Sequence, residues 1–142
     1  MTAGLPPPAT PFGEKVRTRL AEEIVVWRTT VDAGGTPQPN PVWFVWEGET
    51  VLVYNLNGAA RISHIQARPR VALHFNNGDG HRDAVVLLGT AAIVDDVPSA
   101  DEHKSFIGKY RDHQVKIGMD PCWYAETFTV PMRIFPTTAR GM

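Results

Sequence analysis

Three prolines at positions 37, 39 and 41 alternate with other residues and run directly into the aromatic segment Val42-Trp43-Phe44-Val45-Trp46. In a β-strand every second residue points its N–H to the same side, so the prolines remove the donors from one side of this strand. That side is predicted to be a sheet edge, or to face something other than a neighbouring strand. The two indoles and the phenylalanine beside it predict either a wall for a flat aromatic ligand or the ordinary core of a β-barrel.

The remaining pattern predicts a mostly β chain with added helices. Stretches of β-branched and aromatic residues are separated by turns rich in Gly, Asn and Asp, and the first three strands are expected to form an antiparallel meander. Gly89, in the middle of a long strand, predicts a bulge or sharp bend. A small antiparallel barrel accounts for this order of elements. The six predicted strands cover 24–30, 38–47, 51–56, 70–76, 83–95 and 123–135, the last one kinked at Pro131.

Helix signals appear at four places. Thr10 followed by Pro11 is a good N-cap and N1 pair, and Arg68-Pro69 ends a short helix over 61–67. Ser99 with Glu102 forms a capping-box pattern, which predicts a helix opening at that point, and a further helical stretch is expected around 112–118. Residues 1–10, with three consecutive prolines, are expected to be a flexible arm before a single domain over 11–142.

Composition narrows the class of protein. The chain has 142 residues, 43% of them hydrophobic, which is enough for one domain with a real core. A formal net charge of −1 argues against a nucleic-acid or acidic-membrane partner, and no apolar stretch approaches the length of a membrane span. One cysteine, Cys122, suits a reducing compartment, so we expect a cytoplasmic protein. The five histidines show no metal-ligand spacing, and we predict no metal site.

Four segments of the chain carry a family resemblance when taken in order. These are Asn40-Pro41-Val42-Trp43-Phe44, then Arg61 with Ile65, then Arg68-Pro69-Arg70-Val71, and finally Leu88-Gly89-Thr90-Ala91. Together they resemble the FMN-binding split-barrel superfamily of pyridoxamine 5'-phosphate oxidase, over residues 12–140. Within it the chain is similar to the small actinobacterial-type oxidoreductases that use the deazaflavin coenzyme F420. The resemblance implies a six-stranded antiparallel split β-barrel that forms a homodimer, with its clefts at the two-fold interface.

The resemblance also implies which residues hold the coenzyme. The ring is expected against the strand of Pro41, Val42, Trp43 and Phe44, and the phosphate at the loop and helix start that contain Asn57, Arg61, Ile62 and Ser63. Family members commonly place a lysine where this chain has Arg61, and arginine can grip a phosphate through two hydrogen bonds. Seen without the family, Arg61 could also be a solvated charge on a surface helix. The extra basic motifs of vitamin B6 oxidases cannot be placed in this chain.

The implied activity is hydride transfer from reduced F420 to an electron-poor organic substrate. Such a reaction needs orientation and exclusion of water more than reactive side chains, and we assign no catalytic residue. Two alternatives stay open: an FMN-dependent oxidase or reductase of the same fold, and a non-catalytic protein that binds a cofactor or haem. The basic residues Lys104, Lys109, Arg111 and Lys116 are read as a solvated face, or as a guide for the acidic tail of F420.

Overall fold

A computed structural model describes residues 4–77 and 83–141 of the chain. No helix within those ranges is both long and apolar enough to cross a membrane. In chain order the elements are α1 Pro11–Glu22, β1 Val26–Val31, β2 Pro37–Val42, β3 Val45–Trp46, β4 Val51–Asn55, α2 Ala60–Ala67, β5 Arg70–His74, β6 Val85–Ile93, α3 Lys104–Lys116, α4 Pro121–Thr127 and β7 Val130–Gly141.

The strands form one antiparallel sheet in the order β2-β1-β5-β6-β7-β4-β3. Its two outermost strands, β2 and β3, are consecutive in the chain and are separated by Trp43 and Phe44 alone. In a flat sheet these edges would lie six strand spacings apart, about 29 Å. The chain from Val42 to Val45 can span at most about 11 Å. The sheet therefore curls until the connected ends of β2 and β3 lie close together, which produces a half-barrel.

This arrangement confirms a mostly β fold with added helices but corrects the strand count and the meander. Among the described residues seven strands form instead of six, because the single strand expected over 38–47 breaks at Trp43 and Phe44. Its first half pairs with β1 and its second half with β4, while β4 pairs onward with β7. The prediction from the prolines is confirmed, since β2 is a terminal strand paired with β1.

Side chains alternate between the two faces of the curled sheet and define two hydrophobic groups. The inner core fills the barrel with fully buried residues such as Val26, Leu73 and Met132. A second group, here called the aromatic cluster, lies between β3, β4 and the helices α3 and α4. Because β4 contributes to both groups, all five of its residues are buried. The aromatic cluster contains Trp43, Tyr54, Phe106, Tyr110, Tyr124 and Phe128.

The helix starts are partly as predicted. Thr10 caps α1, with its hydroxyl accepting from the N–H of Gly13 at 3.0 Å. The capping box at Ser99 is wrong, because α3 begins at Lys104 and is capped by His103, whose Nδ1 accepts from the N–H of Phe106 at 3.2 Å. The hydroxyl of Ser99 instead donates to Asp101. The prediction of strand from 123 is also wrong, because 121–127 form α4.

The last strand begins and ends later in the chain than predicted, at Val130 and Gly141, and pairs with β6 as far as Gly141. The register between β6 and β7 shifts at Leu88 and Gly89, which confirms the predicted bulge. A Cβ on Gly89 would lie 2.4 Å from the carbonyl oxygen of Phe135, so the two backbones approach too closely for any other residue. The long β6–β7 pair is thus bent where the barrel turns.

Candidate functional site

A cavity of about 430 Å³ opens where the end of the barrel meets α2 and α4. This volume lies within the range of about 300–1,000 Å³ that is usual for small-molecule sites. One end is polar, and the remainder is lined by apolar and aromatic side chains. The polar residues are Arg28, Asn40, Asn55 and Arg61, and the others include Val25, Pro41, Val42, Trp43, Tyr54, Leu56, Ala59, Met119, Tyr124 and Phe128.

Arg28 is the most unusual residue of the polar end. It lies on β1, on the face that points into the barrel, and is 2% exposed. Its Nη1 donates to the side-chain oxygen of Asn55 at 2.6 Å and to the sulfur of Met132 at 3.4 Å. Burial, and to a smaller extent the charge of Arg61, lowers the pKa of Arg28 from its ordinary value to about 10. The guanidinium therefore stays charged at neutral pH while held out of water.

Three polar atoms around this end are buried and have no hydrogen-bond partner among the residues that the structure describes: Nε of Arg28, Nε of Arg61 and Oδ1 of Asn40. Within residues 4–77 and 83–141, neither guanidinium has a carboxylate within ion-pair distance. Buried donors without partners cost stability, and buried polar groups in proteins are normally paired. Two converging cations with free donors are suited to bind an anionic group.

The start of α2 adds to this positive end. Gly58 adopts φ +80°, a left-handed conformation that favours glycine, and this turns the chain from β4 into the helix. Ala59 at the N-cap makes no side-chain capping hydrogen bond. The first N–H groups of the helix, together with the positive end of its dipole, therefore lie near Arg61 without a capping side chain.

The aromatic side of the cavity is held in place by stacking. The ring of Trp43 stacks on Tyr110 with centroids 4.6 Å apart and on Tyr124 at 5.2 Å. Tyr124 in turn stacks on Phe128 at 4.4 Å. This packing immobilises the cavity wall, so Trp43 is both a wall of the cavity and a member of the aromatic cluster. Of the two readings of the aromatic segment, the core reading therefore applies to Phe44, which lies in the inner core, whereas Trp43 lines the cavity.

The structure brings together four of the eight residues expected to bind a coenzyme. Pro41, Val42, Trp43 and Arg61 line the cavity. The other four lie outside its lining: Phe44 is in the inner core at 1% exposure, Ile62 is half-buried, and Asn57 and Ser63 are exposed.

Sequence reasoning missed the residues that complete the polar end, Arg28 and Asn40. Arg28 lies in a strand between Trp27 and Thr29, and no motif surrounds it in the sequence. Its burial follows from the three-dimensional fold, in which its side chain contacts Asn55 of β4 inside the barrel. Asn40 belongs to one of the four segments that carry the family resemblance, which assigns it no role of its own. In the register of the sheet it lies directly opposite Arg28. Knowledge of that pairing would have pointed to both residues.

No group of three or more His, Cys, Asp or Glu side chains able to hold a metal ion occurs within the described ranges. The cavity lining likewise contains no carboxylate, imidazole or thiol among those residues. What the described lining offers is cationic donors, two tyrosines and an apolar wall.

Comparison with known proteins places this chain in a family. The sequence model of the pyridoxamine 5'-phosphate oxidase family matches residues 12–121. The chain therefore belongs to the pyridoxamine 5'-phosphate oxidase family, with the split-barrel fold of that family. A search of curated protein sequences finds no significant match.

Solved structures with the same fold have diverse roles. An F420 reductase is 23% identical, with a TM-score of 0.63, covering 87% of this chain and 94% of its own. The haem storage protein HutZ of Vibrio cholerae is 14% identical, with a TM-score of 0.62, covering 90% and 92%. A candidate pyridoxamine 5'-phosphate oxidase of Listeria innocua is 18% identical, with a TM-score of 0.63, covering 91% and 96%. At these identities the likeness establishes the fold.

Proposed function

We propose that this protein is an oxidoreductase that binds reduced coenzyme F420 in the cavity and passes its hydride to an electron-poor organic substrate. The observation that carries the proposal is the division of the cavity into an end with two arginines, which have no carboxylate partner within the described residues, and an apolar, aromatic remainder. A planar ring that bears an anionic chain has the same division. F420 and FMN both fit this description, and an F420 reductase shares the fold.

The residues present fit such a molecule. Arg61 and Arg28 each have a buried donor that finds no partner in the described part of the chain, and an anionic group would satisfy both donors. Trp43, Val42 and Pro41 provide the apolar surface against which a ring would lie. When bound, the reduced coenzyme supplies the hydride. The protein's own contribution is then to orient the two reactants and to exclude water from the space between them.

Tyr124 is the side chain we propose as a proton donor to the reduced product. It lines the cavity at 4% exposure, and within the described residues its hydroxyl has no hydrogen-bond partner. Burial raises the pKa of Tyr124 well above its ordinary value, so the hydroxyl keeps its proton at neutral pH. The other tyrosine of the cavity, Tyr54, already donates to the carbonyl oxygen of Pro98 at 2.6 Å.

The proposal is tested by titrating the purified protein with F420 and, separately, with FMN while following tryptophan fluorescence. We expect F420 to bind with a micromolar Kd and to quench Trp43. Trp43→Phe should remove most of the quenching, whereas Trp123→Phe should retain it, because Trp123 is exposed on α4 outside the cavity lining. Micromolar binding of FMN with none of F420 would replace F420 by FMN as the coenzyme.

Turnover separates an enzyme from a binding protein. Reduced F420 is mixed with the protein and a panel of enones, quinones and tetrapyrroles, and its oxidation is followed by absorbance. We expect at least one substrate class to be reduced. If reduced F420 binds and none of the panel oxidises it, the non-catalytic alternative is favoured, and tight binding of haem instead of either coenzyme would favour the haem alternative.

We also propose that the protein is a homodimer. The outer face of β1, β5, β6 and β7 carries a broad groove of about 660 Å³. Leu88 and Phe135 on these strands are 39% and 40% exposed, although both are large and apolar. A sheet with one face on its core and an apolar outer face is suited to pack against a second copy.

A further inference from the structure

Arg28 lies in the barrel interior with no acidic partner among the described residues, and an uncompensated charge in such a place is costly. We propose that Arg28 is a second anion ligand, and that with Arg61 it makes this site select a group carrying two negative charges. The inference rests on the proposed function to the extent that the coenzyme supplies that group. It adds a residue outside the predicted phosphate site and a charge requirement for the ligand.

The guanidinium of Arg28 is held in one orientation before any ligand arrives. Asn55 accepts from its Nη1 at 2.6 Å, and the amide nitrogen of Asn55 is itself fixed by the carbonyl oxygens of Val53 at 3.1 Å and Val130 at 3.0 Å. A guanidinium has five N–H donors. In the described part of the chain the hydrogen bonds of Arg28 all involve Nη1, and Nε is buried without a partner. The remaining donors are therefore available to a ligand in a preorganised site.

The charge balance sets the class of ligand. Arg28 and Arg61 repel each other, since Arg61 lowers the pKa of Arg28, and neither is neutralised by a carboxylate within the described ranges. A single negative charge would leave the pair with a net positive charge in a poorly solvated place. Two negative charges close together neutralise it. A terminal phosphate monoester, as in FMN, supplies them on one group, and a phosphodiester beside a carboxylate, as in F420, supplies them on two.

A set of ligand pairs isolates the phosphate contribution. FMN is compared with riboflavin, and F420 with the ribityl deazaflavin that lacks the phosphate and its acidic tail. We expect Arg28→Met to lower the affinity for FMN or F420 by about tenfold or more. The affinity for the phosphate-free compound of each pair should stay unchanged. Arg28→Lys should recover part of the loss because it keeps the charge. An equal loss for both members of a pair would assign Arg28 a structural role and overturn the inference.

The pH dependence of binding distinguishes the two sources of charge. A phosphate monoester loses its second charge near pH 6, whereas a phosphodiester does not titrate there. In the wild type, the affinity for FMN should therefore fall between pH 7.5 and 5.5, and Arg28→Met should flatten this fall. The affinity for F420 should stay nearly constant over the same interval. A fall for FMN that is equally steep in wild type and variant would contradict the role of Arg28.

Inorganic phosphate and pyrophosphate test the site without any coenzyme. At constant ionic strength, both should raise the Tm of the wild type more than that of Arg28→Met or Arg28→Lys. If this dependence on Arg28 is found while no ring compound binds, the anion site stands and the proposed oxidoreductase function fails. If ring compounds bind and neither anion shifts the Tm in an Arg28-dependent way, the function stands and this inference fails.

Discussion

The hydroxyl of Tyr110 accepts a hydrogen bond from the backbone N–H of Phe44 at 2.9 Å and lies 3.1 Å from the carbonyl oxygen of the same residue. Phe44 is one of the two residues that connect β2 to β3. The hydroxyl donates at 2.6 Å to the carbonyl oxygen of Ile24, and the amine of Lys109 donates to the carbonyl of Phe44 at 3.0 Å. Helix α3 thus supplies the hydrogen-bond partners that a neighbouring strand would give elsewhere, and so fixes the point where the curled sheet closes.

Tyr110→Phe should lower the stability of the fold. The change removes the partner of two buried backbone groups, the N–H of Phe44 and the carbonyl of Ile24, and we expect a loss of about 2 kcal/mol in the free energy of unfolding. Equilibrium denaturation in urea measures it. Tyr124→Phe is the matched control, since the hydroxyl of Tyr124 has no hydrogen-bond partner within the described residues, and its cost should be below about 0.5 kcal/mol. Similar costs for the two variants would contradict this role of Tyr110.

Because of the lowered pKa of Lys109, the free energy of unfolding should increase as the pH rises above 8. Its amine lies 3.6 Å from the centroid of the Phe44 ring, and burial lowers the pKa of Lys109 from 10.5 to about 8. Above pH 8 the folded chain releases this proton while the unfolded chain, with a pKa near 10.4, keeps it. Because the unfolded state then binds more protons, the free energy of unfolding increases with pH.

The measurement is urea denaturation at several pH values from 7 to about 9.5, below the point where tyrosines of the unfolded chain ionise at about 10. Wild type should gain stability over this interval, and Lys109→Met should show a clearly smaller gain. Lys116→Met serves as the control, since Lys116 is exposed in the last turn of the same helix. A gain of the same size in Lys109→Met would show that another group causes the pH dependence.

Two glycine substitutions should have opposite effects on stability. Gly89→Ala places a Cβ 2.4 Å from the carbonyl oxygen of Phe135, a backbone atom that cannot move freely, and should cost about 2–3 kcal/mol. Gly108→Ala lies in α3 with nothing within 4 Å of the new Cβ, and should stabilise by about 0.5–1 kcal/mol. Thermal unfolding of both variants measures the two changes in stability. A neutral Gly89→Ala would mean that the bulge does not need this close backbone approach.

Local signals in the sequence predicted the elements whose ends are fixed by local chemistry. Thr10 and Pro11 start α1, the alternating prolines mark the edge strand, and Gly89 marks the bulge. Asp120 and Pro121 carry the same N-cap and N1 signal as Thr10 and Pro11, and they start α4. The aromatic residues from 123 onward favour a strand by propensity. That propensity mainly reflects packing on a half-buried surface, so it does not decide between a strand and a helix that offers the same packing. The aromatic cluster provides that packing for a helix.

Long-range relationships were not predictable in the same way. The break of the second strand at Trp43 and Phe44 follows from closure of the whole sheet and not from any turn residue. Arg28 reaches the site through a strand register that pairs it with Asn40 and through its contact with Asn55, which is 27 positions away in the chain. For the site, the family resemblance indicated Arg61 and Trp43, whereas the second arginine required the three-dimensional arrangement.

Arg61→Ala should weaken coenzyme binding while leaving the Tm nearly unchanged. The Nε of Arg61 is without a partner and the residue lines the cavity, so its loss removes a ligand contact and no hydrogen bond of the fold within the described residues. A charged hydrogen bond of this kind corresponds to a loss of affinity of about 10- to 100-fold. Fluorescence titration and thermal unfolding measure the two effects on the same samples.

Arg68→Ala is the control for Arg61, because it should show the opposite pattern. Arg68 lies at the other end of α2, outside the cavity lining, and its Nε donates to the carbonyl oxygen of Val31 at 2.9 Å. Its removal should lower the Tm and leave the affinity unchanged. Equal losses of folding and binding in Arg61→Ala would make Arg61 a structural residue instead of an anion ligand.

Leu88→Glu should separate the proposed dimer into monomers. Leu88 lies in the outer groove of the sheet and is 39% exposed, so a second copy packed there would bury it, and burial of a carboxylate at this point would carry a large desolvation cost. Sedimentation velocity should give twice the chain mass of 15.7 kDa for the wild type and the single chain mass for the variant. Val115→Glu, at a site 69% exposed on α3 and away from the groove, should remain dimeric. A wild type that sediments as a monomer at micromolar concentration would remove the dimer proposal, and a Leu88→Glu variant that stays dimeric would place the interface on another surface.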